Sequence, residues 1–140
     1  MLSGITIVEF EALGPAPFAG GFFAELGAEV IVIHRADDTR SPAAAPKSPL
    51  DRGKKSIALD LKNSDDVRIA LDLVCQADAL IEGFRPGVME KLGLGPDVIH
   101  ARAPHIVYGR MTGWGQTGPL AKTAGHDLNY IARSGALWYS

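Results

Sequence analysis

The stretch with the most chemical content is Ala124-Gly125-His126-Asp127-Leu128-Asn129-Tyr130, which follows a glycine-rich run at 112–119 and opens a helical pattern. A helix start disfavours positive charge, so His126 stands where a neutral imidazole is favoured. Such a ring can take a proton, and its conjugate acid can return one. The free N–H groups of the same turn could stabilise an enolate oxygen. Gly125 permits close approach of a ligand to the backbone. Asp127 suits the positive end of a helix, and capping is a simpler role for it than catalysis. The competing reading of His126 is a histidine that only begins a helix.

A second set of residues is cationic. Arg35, Lys62 and Arg85 each follow a run that reads as a strand, with Lys54, Lys55 and Lys91 nearby. Taken singly, each is an ordinary surface charge. In a parallel sheet, however, the C-terminal strand ends share the edge where ligands bind, and cations converging there would hold a polyanion. The turn after the first strand reads Leu13-Gly14-Pro15-Ala16-Pro17, so the dinucleotide fingerprint Gly-x-Gly-x-x-Gly is absent. The second strand ends in His34 and Arg35 where NAD binders place an acid, a pair that suits a phosphorylated ribose, as in NADP or coenzyme A.

Other candidates offer less. His34, His100 and His105 lack metal-ligand spacing, and no nucleophile elbow, P-loop or zinc motif is present. Cys75 lies beside an apolar helical face and is expected to be buried and inert. Glu9, Glu11 and Glu82 stand near strand ends with no evident partner in the sequence.

These residues must be positioned by alternating strands and helices. Residues 5–10 read as a strand, 14–17 break it, and 18–26 read as a helix weakened by Gly20 and Gly21 and stopped by Gly27. The apolar run 30–33 reads as a strand covered on both faces. Residues 36–50 hold three prolines and few large apolar groups, a length that marks a mobile loop or a lid. A strand at 56–61 precedes a helix capped by Asn63 or Ser64, with Val67, Ala70, Leu71, Val74 and Ala77 on one face. A strand follows at 79–81. Pro86 opens a short helix that Gly93 ends, Pro96 opens another to about 101, and 106–111 is a further strand. Leu128, Ile131, Ala132 and Gly135 share a face of a last helix. This alternation predicts an α/β fold, a parallel sheet with helices on both faces.

Composition narrows the function classes. At 46% apolar and 21% charged, the 140 residues are those of an ordinary globular domain. The net charge of −2, from 14 basic and 16 acidic residues, argues against nucleic-acid and acidic-membrane partners. No segment has the apolar length of a membrane span. Met1-Leu2-Ser3-Gly4 lead straight into a strand pattern without a basic-then-apolar leader, and Cys75 is the one cysteine, so a reducing, cytoplasmic setting is expected. Leu137-Trp138-Tyr139-Ser140 is apolar and carries no stop signal, which leads us to expect a longer protein.

The blocks Gly27-Ala28-Glu29-Val30, Arg52-Gly53-Lys54-Lys55-Ser56, Leu59-Asp60-Leu61-Lys62 and Phe84-Arg85-Pro86-Gly87-Val88 come first. Leu92-Gly93-Leu94-Gly95-Pro96, Gly113-Trp114-Gly115-Gln116-Thr117-Gly118-Pro119 and Gly125-His126-Asp127-Leu128-Asn129-Tyr130 follow in order. Together they resemble the family III CoA-transferase superfamily, and within it the α-methylacyl-CoA racemases. Their last block reads Gly-His-Asp-Ile-Asn-Tyr, and the acyl-CoA transferases usually lack its histidine.

The resemblance implies that 1–140 is the N-terminal part of a large Rossmann-like CoA-binding domain, with the rest of that domain and a small domain outside it. It implies epimerisation of 2-methylacyl-CoA thioesters through an enolate, with His126 as one acid/base and an aspartate beyond Ser140 as the other. It assigns CoA contacts to Arg35, Leu59, Asp60, Leu61, Lys62, Gly83, Arg85, Lys91, Gly125, Asp127, Asn129 and Tyr130. Lys91 stands where some relatives carry arginine. It also implies a homodimer of the full-length protein and no metal or organic cofactor, coenzyme A being part of the substrate. Loss of a general acid or base costs roughly 10²–10⁴-fold, so these residues alone are expected to be inactive. A family III CoA transferase with a carboxylate nucleophile beyond Ser140, and a non-catalytic CoA- or nucleotide-binding remnant, are the alternatives.

Overall fold

A computed structural model describes residues 1–36 and 48–139. Five strands, β1 (Thr6–Phe10), β2 (Glu29–Arg35), β3 (Lys55–Leu59), β4 (Ala79–Glu82) and β5 (Val107–Arg110), form one sheet in the order β3-β2-β1-β4-β5. Every pairing is parallel. The helices are α1 (Pro15–Glu25), α2 (Ser64–Cys75), α3 (Val88–Lys91), α4 (Pro96–Arg102) and α5 (Asp127–Ser134). This is the expected Rossmann-like fold. Among the described residues, no helix is long and apolar enough to cross a membrane.

The pleat of β1 divides the core. Val8 and Phe10 face Ala70 and Val74 of α2, Met89 of α3 and Ile99 of α4 in the larger cluster. Ile7 faces Ala16 of α1, with Val30 and Ile81, in the smaller one. Alternate residues of a strand point to opposite faces, so a β-branched run with helices on either side buries both. The described part of the connection between β2 and β3 includes a 3₁₀ turn, Pro49–Asp51, whose cap Ser48 accepts the Leu50 N–H at 3.2 Å. The loop expected at 36–50 otherwise falls on residues 37–47, outside the described residues.

Two helix boundaries differ from expectation. Gly14, at φ 74°, turns the chain, and α1 starts at Pro15 instead of residue 18. The first turn of a helix has no use for its N–H groups, so prolines that read as a break in fact open the helix. Pro86 does not begin a helix: the left-handed Gly87 (φ 86°) is the N-cap of α3, which runs from Val88. Elsewhere the elements fall within a residue or two, Asn63 capping α2 through the Asp65 N–H at 2.9 Å.

Glu9 has a partner the sequence did not reveal. On the α1 face of β1 it is 1% exposed, and Lys54 Nζ meets its Oε2 at 2.7 Å. The same ammonium donates to the Pro17 carbonyl at 2.9 Å. Gly20 makes the space, because a Cβ there would run into the Glu9 carboxylate. Burial pushes the Glu9 pKa up, and the Lys54 hydrogen bond and charge pull it back. A buried charge stripped of its partner is costly. Lys54→Met is therefore expected to cost about 3–5 kcal/mol at neutral pH, measured by urea denaturation. Glu9 binds its proton more tightly folded than unfolded, so its contribution falls as pH rises above 4.5, and it falls further without Lys54. The deficit of Lys54→Met should thus shrink on acidification, and a pH-independent deficit would contradict the pairing.

Candidate active site

Parallel strands deliver the predicted residues that end or directly follow them to one edge. Arg35 ends β2; Leu59 ends β3 and is followed by Asp60, Leu61 and Lys62; Gly83 and Arg85 follow β4; and β5 ends at Arg110, ahead of the glycine-rich loop and His126. From β3 to β5 there are four inter-strand steps of about 4.8 Å, about 19 Å in all. Between them, a Cβ on Gly83 would lie 2.7 Å from Ala12 Cβ, so the loops after β1 and β4 pack directly together at the point where the strand order reverses.

At the β2 end, Glu11 Oε2 accepts the Arg35 N–H at 3.0 Å, and Glu11 Oε1 lies 3.5 Å from His34 Nδ1. This leaves the exposed Arg35 side chain at the end of a fixed backbone. After β3, Asp66 accepts the Asp60 N–H at 2.7 Å and Asp60 accepts the Lys62 N–H at 3.0 Å. Lys62 is exposed, Leu61 is half-buried against the larger core, and Leu59 is 4% exposed inside it. Leu59 therefore offers a ligand only its backbone, and its carbonyl already accepts the Ala36 N–H at 3.0 Å. After β4, the Phe84 N–H donates to Glu82 Oε2 at 2.7 Å, and Arg85 and Lys91 are both exposed. Glu9, Glu11 and Glu82, unpartnered in the sequence, are all paired in the structure.

His126 is the exposed N-cap of α5. Asn129 Oδ1 accepts its N–H at 2.9 Å, and its carbonyl accepts the Asn129 N–H at 2.9 Å. The Tyr130 hydroxyl donates to the Gly125 carbonyl at 2.7 Å. The Tyr130 ring packs 4.9 Å from that of Trp114, and the Arg133 guanidinium lies 6.0 Å from the Trp114 ring centroid. Glycine is required at 113 and 125 because a Cβ at either would meet the Tyr130 ring, and at 125 also Trp114 Nε1 at 2.8 Å. Asn129 and Tyr130 thus fix the backbone on either side of His126, and Asp127 sits in the first turn of α5.

Trp114 is the residue that sequence reasoning missed as a support. Its only signal was the tryptophan between two glycines. Leu128 is 67% exposed and α5 buries no residue, so its apolar face does not pack into the core. The structure gathers Gly113, Trp114, Gly125 and Tyr130 around the imidazole's backbone. Among the described residues, no hydrogen bond or ion pair joins His126 to Arg35, Lys62 or Arg85; each lies at the end of a strand or on the chain that follows one.

The model of CoA-transferase family III matches residues 2–140. The chain belongs to that family. It is 44% identical to the alpha-methylacyl-CoA racemase of Mus musculus over 137 residues, 98% of this chain and 34% of that protein. It is 39% identical to the succinyl-CoA:glutarate CoA-transferase of Mus musculus over 146 residues, 97% of this chain and 34% of that protein. The crystal structure of Rv3272 from Mycobacterium tuberculosis matches at a TM-score of 0.83 and 38% identity, covering 96% of this chain and 39% of that one. The chain spans about a third of the length of the curated relatives it matches.

In this family III chain, Asn129→Ala should leave the His126 N–H without an acceptor. A lost cap is worth about 1 kcal/mol, so amide exchange at His126 should quicken about fivefold while Val8, in the core of β1, keeps its rate. Unchanged exchange at His126 would show that the Asn129 bond does not hold this turn.

Proposed function

We propose that the chain is the N-terminal portion of an α-methylacyl-CoA racemase that binds a 2-methylacyl-CoA thioester along the C-terminal edge of the sheet. The observation that carries this reading is the separation of roles on that edge. Exposed cations stand at the β2 and β3 ends, and an exposed imidazole on a braced helix start stands beyond β5. A ligand with phosphates at one end and a reacting carbon at the other fits such a layout. The identity to the mouse racemase and the presence of His126 favour proton transfer over transfer of CoA between acids.

In this reading, Arg35 and Lys62 neutralise the phosphates, and Arg85 and Lys91 line the path toward the thioester. His126 takes the α-proton, which leaves an enolate whose oxygen needs donors. The Asn129 and Tyr130 N–H groups are already bonded to the His126 carbonyl. The N–H groups of Asp127 and Leu128, at the open start of α5, are the ones left to receive that oxygen. Return of a proton on the opposite face falls to a second group outside these residues. No metal or organic cofactor is needed, and the intact protein works as a cytoplasmic homodimer.

In the intact enzyme, His126→Ala should slow α-proton exchange in D₂O at one face by roughly 10²–10⁴-fold. Exchange at the parent rate would remove His126 from the mechanism, and CoA transfer to a free acid without exchange would favour a transferase. Separately, Arg35→Ala and Lys62→Ala should each weaken CoA binding several-fold in calorimetry, less so at high salt, and leave pantetheine binding unchanged. Equal losses for both ligands would mean that these cations do not hold the phosphates.

A further inference from the structure

Residues 82–91 are bracketed by two carboxylates that share one guanidinium. Glu82, at the end of β4 and 1% exposed, receives Arg110 Nε on Oε1 at 3.0 Å and the Phe84 N–H on Oε2 at 2.7 Å. Glu90, in α3, receives the other two Arg110 nitrogens, at 2.8 Å on Oε1 and 3.2 Å on Oε2. The guanidinium lies 5.8 Å from the centroid of the Tyr108 ring, and the Tyr108 hydroxyl donates to the Leu94 carbonyl at 2.8 Å. Gly95 closes against Glu90, where a Cβ would lie 2.9 Å from Glu90 Cγ.

The geometry has a clear purpose. The β4–β5 ladder ends where the Met111 N–H meets the Glu82 carbonyl at 2.8 Å. Beyond that bond, the loop carrying Gly83 and Arg85 leaves the ladder; the Arg85 carbonyl accepts the Val88 N–H at 3.1 Å, and side chains supply the rest of its fastening. Arg85 lies between the two carboxylates and Lys91 directly follows the second. Only a planar fork can bond two carboxylates at once in this way; a lysine ammonium is a point charge. Arg110 also lowers the Glu90 pKa and works against the rise that burial imposes on Glu82, so both carboxylates are favoured as anions by the same group.

We propose that Arg110 is a positioning residue for ligand binding, which holds residues 82–91 as a fixed bracket and so sets the places of Arg85 and Lys91 on the ligand edge. The bracket stands on its hydrogen bonds; its ligand, coenzyme A, rests on the function proposed above.

The test compares the parent, Arg110→Lys, Arg85→Ala and the double variant of the full chain, with two readouts. In Arg110→Lys, amide exchange at Phe84 should quicken about tenfold with Val8 unaffected, and CoA should bind about tenfold more weakly. In the Arg85→Ala background, the same Arg110→Lys change should cost much less, because the group it positions is gone. Unchanged Phe84 exchange, equal CoA affinity, or strictly additive losses would each overturn the proposal while leaving the CoA reading intact. A parent that binds no CoA would overturn both, and is told apart by that result. If Arg110→Lys does not fold, Glu90→Gln, at a half-exposed side chain, must still weaken CoA binding through Arg85.

Discussion

A parallel sheet gathers its loops at one edge and then stops helping them. Past the last ladder bond, a carboxylate takes over: Glu82 is buried, Asp66 half-buried, and Glu11 and Asp60 are exposed. Glu11 holds the Arg35 N–H, Asp66 and Asp60 close the turn after β3, and Glu82 holds the Phe84 N–H. Acidic side chains therefore do the fastening on an edge whose exposed ends are cationic. The arrangement is economical in electrostatic terms, because anions bonded to backbone N–H groups leave Arg35, Lys62 and Arg85 facing water.

The two buried glutamates show how much structure this arrangement demands. Glu9 needs Lys54, the Pro17 carbonyl beside it and the missing side chain of Gly20. Glu82 needs Arg110, which in turn leans on Tyr108 and Glu90. Burial disfavours the charged form of each glutamate, and each is offset by a cation and, at Glu82, a backbone donor. A buried pair adds little net stability over an apolar pair of the same volume, but half of one is expensive, so these sites restrict which sequences can occupy the fold.

The strands, the alternation and the all-parallel class were legible because β-branched runs between helical patterns leave few alternatives. The Asn63 cap was legible for the same local reason. The start of α1 was not, since Gly14-Pro15-Ala16-Pro17 has the composition of a turn and becomes a helix start only because Gly14 takes a positive φ. The partners of Glu9, Glu11 and Glu82 were invisible because ion pairs between strands and distant loops have no sequence period. Of the candidate site, the positions of Arg35, Lys62 and Arg85 at or after strand ends, and of His126 beyond β5, followed from residue type and strand pattern. The supports around His126 did not: the contact of Trp114 with Tyr130 joins residues that no short motif connects.

β3 and β5 are the outermost strands, with β2, β1 and β4 between them. The turn at 59–62 and the loop at 111–126 belong to opposite ends of the edge, and their anchoring bonds involve different residues. Changes in one can accumulate without loosening the other. Under the function proposed above, such a scaffold would keep its grip on a common handle while the tool at the far end is exchanged, one physical reason a single family can include proteins named for racemisation and others named for CoA transfer.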